Sequence, residues 1–148
     1  MLAVELATKH RDVCQGRLAL AKRTVRQDLD QMNQLKAYAN DKDARWMQAG
    51  VTVFSGELVK HHYQFMVRLQ QAMAQQTGVI QSSELVVEKV ARALLDAEVR
   101  LAGLNEILQL RLRAKEVVQK RREQKQTDEF ASQQYTRKRA EYEQGEYL

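Results

Sequence analysis

The chain has 148 residues with no proline, 6 glycines, one cysteine and a formal net charge of +5. That length suits one domain, and a lone cysteine excludes an internal disulfide framework. Ala, Leu, Gln, Lys, Arg and Glu dominate, the residues that lose least on entering a helix, while turn formers are too few for a compact β or α/β domain. The first residues already mix Glu5, Lys9 and Arg11 with apolar side chains, unlike a secretory signal. No apolar run approaches the ~20 residues needed to span a bilayer. A cytoplasmic protein is expected.

In chain order, the first element is an amphipathic helix over about 2–48. Val4, Ala7, Arg11, Cys14, Leu18, Ala21, Val25, Asp28, Met32 and Leu35 fall at alternating spacings of three and four, and eight of these ten are apolar. Several are small or polar, so this seam is the weaker of two. A turn follows at about 49–56. Gly50 and Gly56 bracket a β-branched and aromatic stretch there, and Ser55 is placed to cap the next helix, with Glu57 in its first turn.

The second helix is predicted over about 57–125. The same spacing runs through Val59, His62, Met66, Leu69, Met73, Gln76, Ile80, Ser83, Val87, Val90, Leu94, Ala97, Leu101, Leu104 and Leu108, twelve of the fifteen being apolar. Seven unbroken heptads exceed the three or four that define a coiled coil. Gly78 sits inside this run as a weak point. Asp41 with Arg45, Glu88 with Arg92, and Asp96 with Arg100 are opposite charges four residues apart, each worth only about 0.2–0.5 kcal/mol. Residues 126–148 keep scattered Phe and Tyr but lose the heptad, and are expected to form a mixed tail, either a frayed helix or a partner-dependent segment. Two amphipathic helices joined by a short connection become antiparallel neighbours. The expected fold is therefore all-α, one domain over 1–148, a long antiparallel two-helix coiled coil whose C-terminal helix overhangs the N-terminal one.

Charge is concentrated. Arg111, Arg113, Lys115, Lys120, Arg121, Arg122 and Lys125, against Glu116 and Glu123, give residues 111–125 a net +5. Lys9, Arg11, Arg17, Lys22, Arg23 and Arg26, against Asp12, give residues 9–26 another +5. In an antiparallel hairpin both segments lie away from the turn. Such an end is either a solvated face or a surface for an acidic partner, a protein lined with carboxylates or a nucleic acid. No base-reading motif is present, so nucleic acid is the lesser candidate.

Catalytic and metal-site patterns are absent. His61 and His62 point about 100° apart on a helix, and His10 with Cys14 falls short of a zinc ligand set. Cys14 occupies a seam position and reads as a small core residue. There is no phosphate-cradling glycine loop or nucleophile elbow. Neither enzyme activity, a cofactor, a metal nor a small-molecule substrate is expected. Near the turn the apolar stripe is wider than one seam requires. Phe65, Leu69, Ala72 and Gln76 form a second ladder beside Met66, Leu69, Met73 and Gln76, and Gln31, Leu35 and Tyr38 form a similar ladder on the facing helix. One ladder on each helix can be buried. The other stays partly exposed, as a binding surface does, unless Phe65 and Tyr38 merely flank the core.

At these residues the sequence resembles the FliJ family, the small coiled-coil component of the flagellar export apparatus. The resemblance lies in Leu35-x-x-Tyr38 followed by Trp46, in Tyr63-Gln-Phe65-x-x-x-Leu69-x-x-Ala72-Met73-x-x-Gln76, and in Asp128-Glu-Phe-Ala131 followed by Arg137-Lys138. It implies a two-helix stalk, similar to the central stalk of rotary ATPases, at the cytoplasmic side of the inner membrane at the flagellar base. The stalk would promote the hexameric export ATPase and link it to the cytoplasmic domain of the membrane export gate protein and to export chaperones. By position, Gln31, Leu35, Tyr38, Phe65, Leu69, Ala72 and Gln76 would form the gate and chaperone surface. The sequence departs from the family pattern at Lys42, where a second aromatic is expected. The basic run 111–125 is assigned to the ATPase from charge alone. The equivalent stalk of a virulence type III secretion system and a nucleic-acid-binding coiled coil are the alternatives. A homodimer pairing its heptads between chains is a further one.

Overall fold

The computed structural model describes residues 1–49 and 56–146. They form two α-helices, α1 over Leu2–Ala49 and α2 over Gly56–Glu146, which pack against each other in an antiparallel hairpin. The predicted turn and its Ser55 cap lie outside the described residues, apart from Gly56 at the start of α2. The chain divides into two compact units.

The larger unit, Glu5–Leu101, holds the two-helix seam. Its direction is read from contacts across it: Asp28 meets Ser83, Gln31 meets Gln76 and Tyr38 meets Phe65, so positions rise on α2 as they fall on α1. The predicted heptad describes this seam closely. Ala7, Cys14, Ala21 and Met32 are buried, and Arg11, Leu18, Val25, Asp28 and Leu35 between them are half-buried. On α2 the series is half-buried or buried from His62 to Leu101, with Leu69, Ala97 and Leu101 deepest, whereas Val59 is exposed. The α1 series continues past its predicted last member through Ala39, buried, to Lys42 and Trp46, half-buried. Small side chains at Ala7, Cys14, Ala21 and Ala39 keep the interaxial distance short, since spacing between helices follows the side chains at their contact. The cost is a thin core. Cys14, only 2% exposed, has the most completely enclosed side chain of the core among the described residues.

One layer of this seam is polar. The Ser83 hydroxyl donates to the Asp28 carboxylate, and the Gln76 side-chain amide donates to the Asp28 backbone carbonyl at 2.8 Å. A polar pair at a seam position weakens burial but penalises any other register, because a slipped helix would leave the carboxylate facing Val or Leu.

The smaller unit comprises Met1–Val4 and Ala102–Leu148, described as far as Glu146. Leu104 and Leu108 are half-buried, and from Gln109 to Glu146 every residue is exposed. The segment after 125, where the heptad ends, is helical from 126 to 146. Local bonds account for it. Arg139 pairs with Glu143 at 3.3 Å, Gln119 donates to Glu123 at 3.3 Å, and the hydroxyls of Thr127 and Thr136 each bond back four residues at 2.9 Å. A helix polar on most of its surface is held by such pairs and by propensity rather than by a buried face. Of the pairs foreseen from spacing, Asp41 and Arg45 meet at 3.4 Å; Glu88–Arg92 and Asp96–Arg100 are beyond ion-pair distance, as water-exposed charges often are.

Candidate protein-binding surface

The ladder residues of the two helices come together in the larger unit. Tyr38 on α1 meets Phe65 on α2 edge to face, with ring centroids 5.9 Å apart and planes at 71°. That is a preferred aromatic geometry, the positive edge of one ring on the negative face of the other. Lys42, one turn beyond Tyr38, holds its ammonium 5.6 Å from the Tyr38 centroid and 5.9 Å from that of Phe65. A cation over two rings adds attraction of about 0.5–1 kcal/mol at a partly exposed site. The departure from the family pattern at Lys42 therefore leaves the α1 share of the cluster filled, with a charge where an aromatic is expected. Beyond it, Trp46 stacks on His62, 4.0 Å between centroids and 1° from parallel. Toward the other side, the Gln76 amide reaches the Gln31 side-chain oxygen at 3.2 Å.

The seven predicted surface residues do not all present themselves equally. Gln31 and Tyr38 are exposed, and Leu35, Phe65, Ala72 and Gln76 are half-buried. Leu69 is buried at 8% exposure and belongs to the seam. It lies in both candidate ladders, and the core takes it. Sequence reasoning did not place Lys42 and Trp46 in the cluster. Extending the α1 series from Leu35 by four, three and four reaches Ala39, Lys42 and Trp46, which is the signal that locates them.

The basic run is arranged differently. Arg111, Arg113, Lys115, Lys120, Arg121, Arg122 and Lys125 are all exposed on α2, in the smaller unit, and among the described residues none of them forms an ion pair. Their charge is directed to solvent or to a partner. The segment 9–26 is less free: Arg11 is half-buried and binds Asp12 at 2.8 Å, while Lys9, Arg17, Lys22, Arg23 and Arg26 stay exposed.

Among the described residues no group of three His, Cys, Asp or Glu side chains could hold a metal ion. His10 Nε2 lies 3.8 Å from Cys14 Sγ, one turn away on the same helix, and Cys14 is a free thiol inside the seam. No helix of the described residues is long and apolar enough to cross a membrane.

The fold defines the class: an α-hairpin coiled-coil protein, with an aromatic, glutamine-edged cluster on the larger unit and exposed cations along α2 in the smaller one. A family model described as Flagellar FliJ protein matches residues 3–140, nearly the whole chain, and the chain belongs to that family. No curated protein and no solved structure matches it. Membership makes it a component of flagellar protein export, a family of structural and export-associated proteins whose partners are other proteins of that apparatus.

Proposed function

We propose that the chain is a stalk that engages the flagellar export ATPase hexamer through the basic run of α2 and the export gate protein and export chaperones through the Tyr38–Phe65 cluster. It would work on the cytoplasmic face of the inner membrane at the flagellar base. The observation that carries this reading is the bare helix 109–146. A helix of that length with every residue exposed gains nothing from its own fold, so its packing energy is available to a partner. Seven exposed cations within it favour a carboxylate-rich surface, and they would speed its capture at low salt. The cluster on the larger unit supplies what a second site needs, rigid aromatic groups held by a neighbouring helix, with amide groups at the edge for hydrogen bonds.

The test is the ATP hydrolysis rate of the cognate flagellar ATPase with and without the chain at moderate salt. Stimulation lost on reversing Arg121 and Arg122 to Glu, with helicity intact, supports the reading. No stimulation of an assembly-competent ATPase refutes it.

A further inference from the structure

Outside the aromatic cluster, the two long flanks of the larger unit differ in chemistry. The Tyr38–Phe65 contact identifies one of them, because it puts both residues on the same side of the seam. Steps of seven residues stay on that side of a heptad helix. From Phe65 they lead to Ala72, Val79, Val86 and Ala93, and from Tyr38 to Gln31, Thr24 and Arg17, with Leu20, Val13 and Leu6 at the alternate three-four positions between and beyond. Five of these are large aliphatic side chains left half or more exposed, or nearly so: Leu20 at 60%, Leu6 at 58%, Val13 at 51%, Val86 at 50% and Val79 at 45%. The opposite flank is identified by the groove that Lys22 and Arg26 share with Glu84 and Glu88. There, basic side chains on one helix face acidic ones on the other, with Leu29 and Leu95 dispersed among them. One flank thus carries opposite charges across an open groove, with Val25 and Val87 at its floor and, among the described residues, no ion pair at contact distance, and the other carries an aliphatic row.

The charge in and beside that track is mainly basic. Arg17 and Arg100 continue the rows of Tyr38 and Phe65 by steps of seven, and Lys89 stands beside Val86, with Asp96 the acidic residue among them; all four are exposed. Scattered surface leucines need no explanation, but aliphatic side chains aligned over several heptads and edged by polar groups mark a docking face. The periodicity says what shape docks. A row repeating every seven residues along two antiparallel helices is complementary to a third helix laid alongside both of them.

We propose that this flank, from Leu6 and Val13 to Val79 and Val86, docks an amphipathic helix of a partner protein with acidic residues on both sides of its apolar stripe, completing a three-helix bundle. The apolar stripe covers the aliphatic track, and its flanking carboxylates meet Arg17, Lys89 and Arg100. A second copy of this chain fits less well, since its own track would bring the same cations to the contact. The proposal uses only the larger unit and stands apart from the stalk reading.

A synthetic helical peptide of four heptads serves as the probe, with Ile and Leu at the two apolar positions of each heptad and Glu on both flanks. Its twin carries Lys on the flanks. Binding to the full chain is measured by fluorescence anisotropy at moderate salt. The acidic peptide is expected to bind at least about tenfold more tightly than the basic one, a difference of about 1.4 kcal/mol. Leu20→Asp with Val86→Asp should weaken it at least tenfold, while Leu95→Asp, equally exposed on the other flank at 58%, leaves it unchanged. Should the double variant lose helicity by circular dichroism, Arg17→Glu with Lys89→Glu decides instead, and it should turn preference toward the basic twin. No binding of the acidic peptide at about 100 μM, equal binding of both peptides, or equal damage from Leu95→Asp overturns the proposal. So does a light-scattering dimer that Leu20→Asp with Val86→Asp dissolves, which would make the occupant a second copy.

Discussion

The stretches 62–101 and 109–146 of α2 belong to one unbroken helix, yet they are held in different ways. The first has a partner helix along its length, and its heptad positions are half-buried or buried from His62 to Leu101. The second has every residue exposed and relies on propensity and on pairs such as Arg139–Glu143. The contrast separates two jobs that helical periodicity can serve. Where the apolar row is covered within the chain it supplies stability; where cations replace the apolar row, at Arg111 and Lys115, the helix is left for something else to cover.

The largest blow to that contrast should come from the seam. Leu69→Ala or Leu101→Ala removes a buried side chain from a thin core and should lower stability by about 2–4 kcal/mol, read as a fall in the urea midpoint. A loss under 1 kcal/mol would show that α1 contributes little to holding α2. Phe65→Ala, which strips the cluster but only a half-buried ring, should cost about 1–2 kcal/mol and remove the seats of Tyr38 and Lys42. Its helicity by circular dichroism should stay near that of the parent chain, while gate or chaperone binding falls. Gly78→Ala should raise stability by about 0.5–1 kcal/mol, since a methyl group there meets nothing within 4 Å. An equal or greater gain is expected from Gly103→Ala only if the stretch beyond Leu101 unfolds together with the seam, so comparing the two variants measures how far cooperativity extends along α2. Reversing Arg121 and Arg122 to Glu should change stability least, within about 0.5 kcal/mol, because neither side chain has a folded-state partner to lose. Its effect should appear in ATPase stimulation alone.

Much of the hairpin was legible from spacing. All ten α1 positions picked out by the three-four series are buried or half-buried, and so are fourteen of the fifteen on α2. Periodicity succeeds because a coiled-coil seam is a one-dimensional feature: spacing alone tells which residues share a stripe. It was less able to choose between neighbouring stripes. Leu69 sits in both the core ladder and the surface ladder, and only the position of α1 decides that it is core. Lys42 was read as a gap in an aromatic row. Its role needed Tyr38 and Phe65 to be brought within 5.9 Å of each other, which no single helix encodes. The helical state of 126–146 was left open by spacing for a different reason. The heptad ends there, but helix formation does not require a heptad when backbone propensity and side-chain pairs four residues apart suffice.

The stack of Trp46 on His62 has a practical consequence. Trp46 is the sole tryptophan, so all indole emission from this protein originates where α1 meets α2 beside Lys42, Tyr38 and Phe65. Any ligand that seats on that cluster shifts the polarity or the ring contact of this single chromophore. The molecule therefore carries its own optical gauge, and titrations of gate domains or chaperones lacking tryptophan can be followed without attaching a dye.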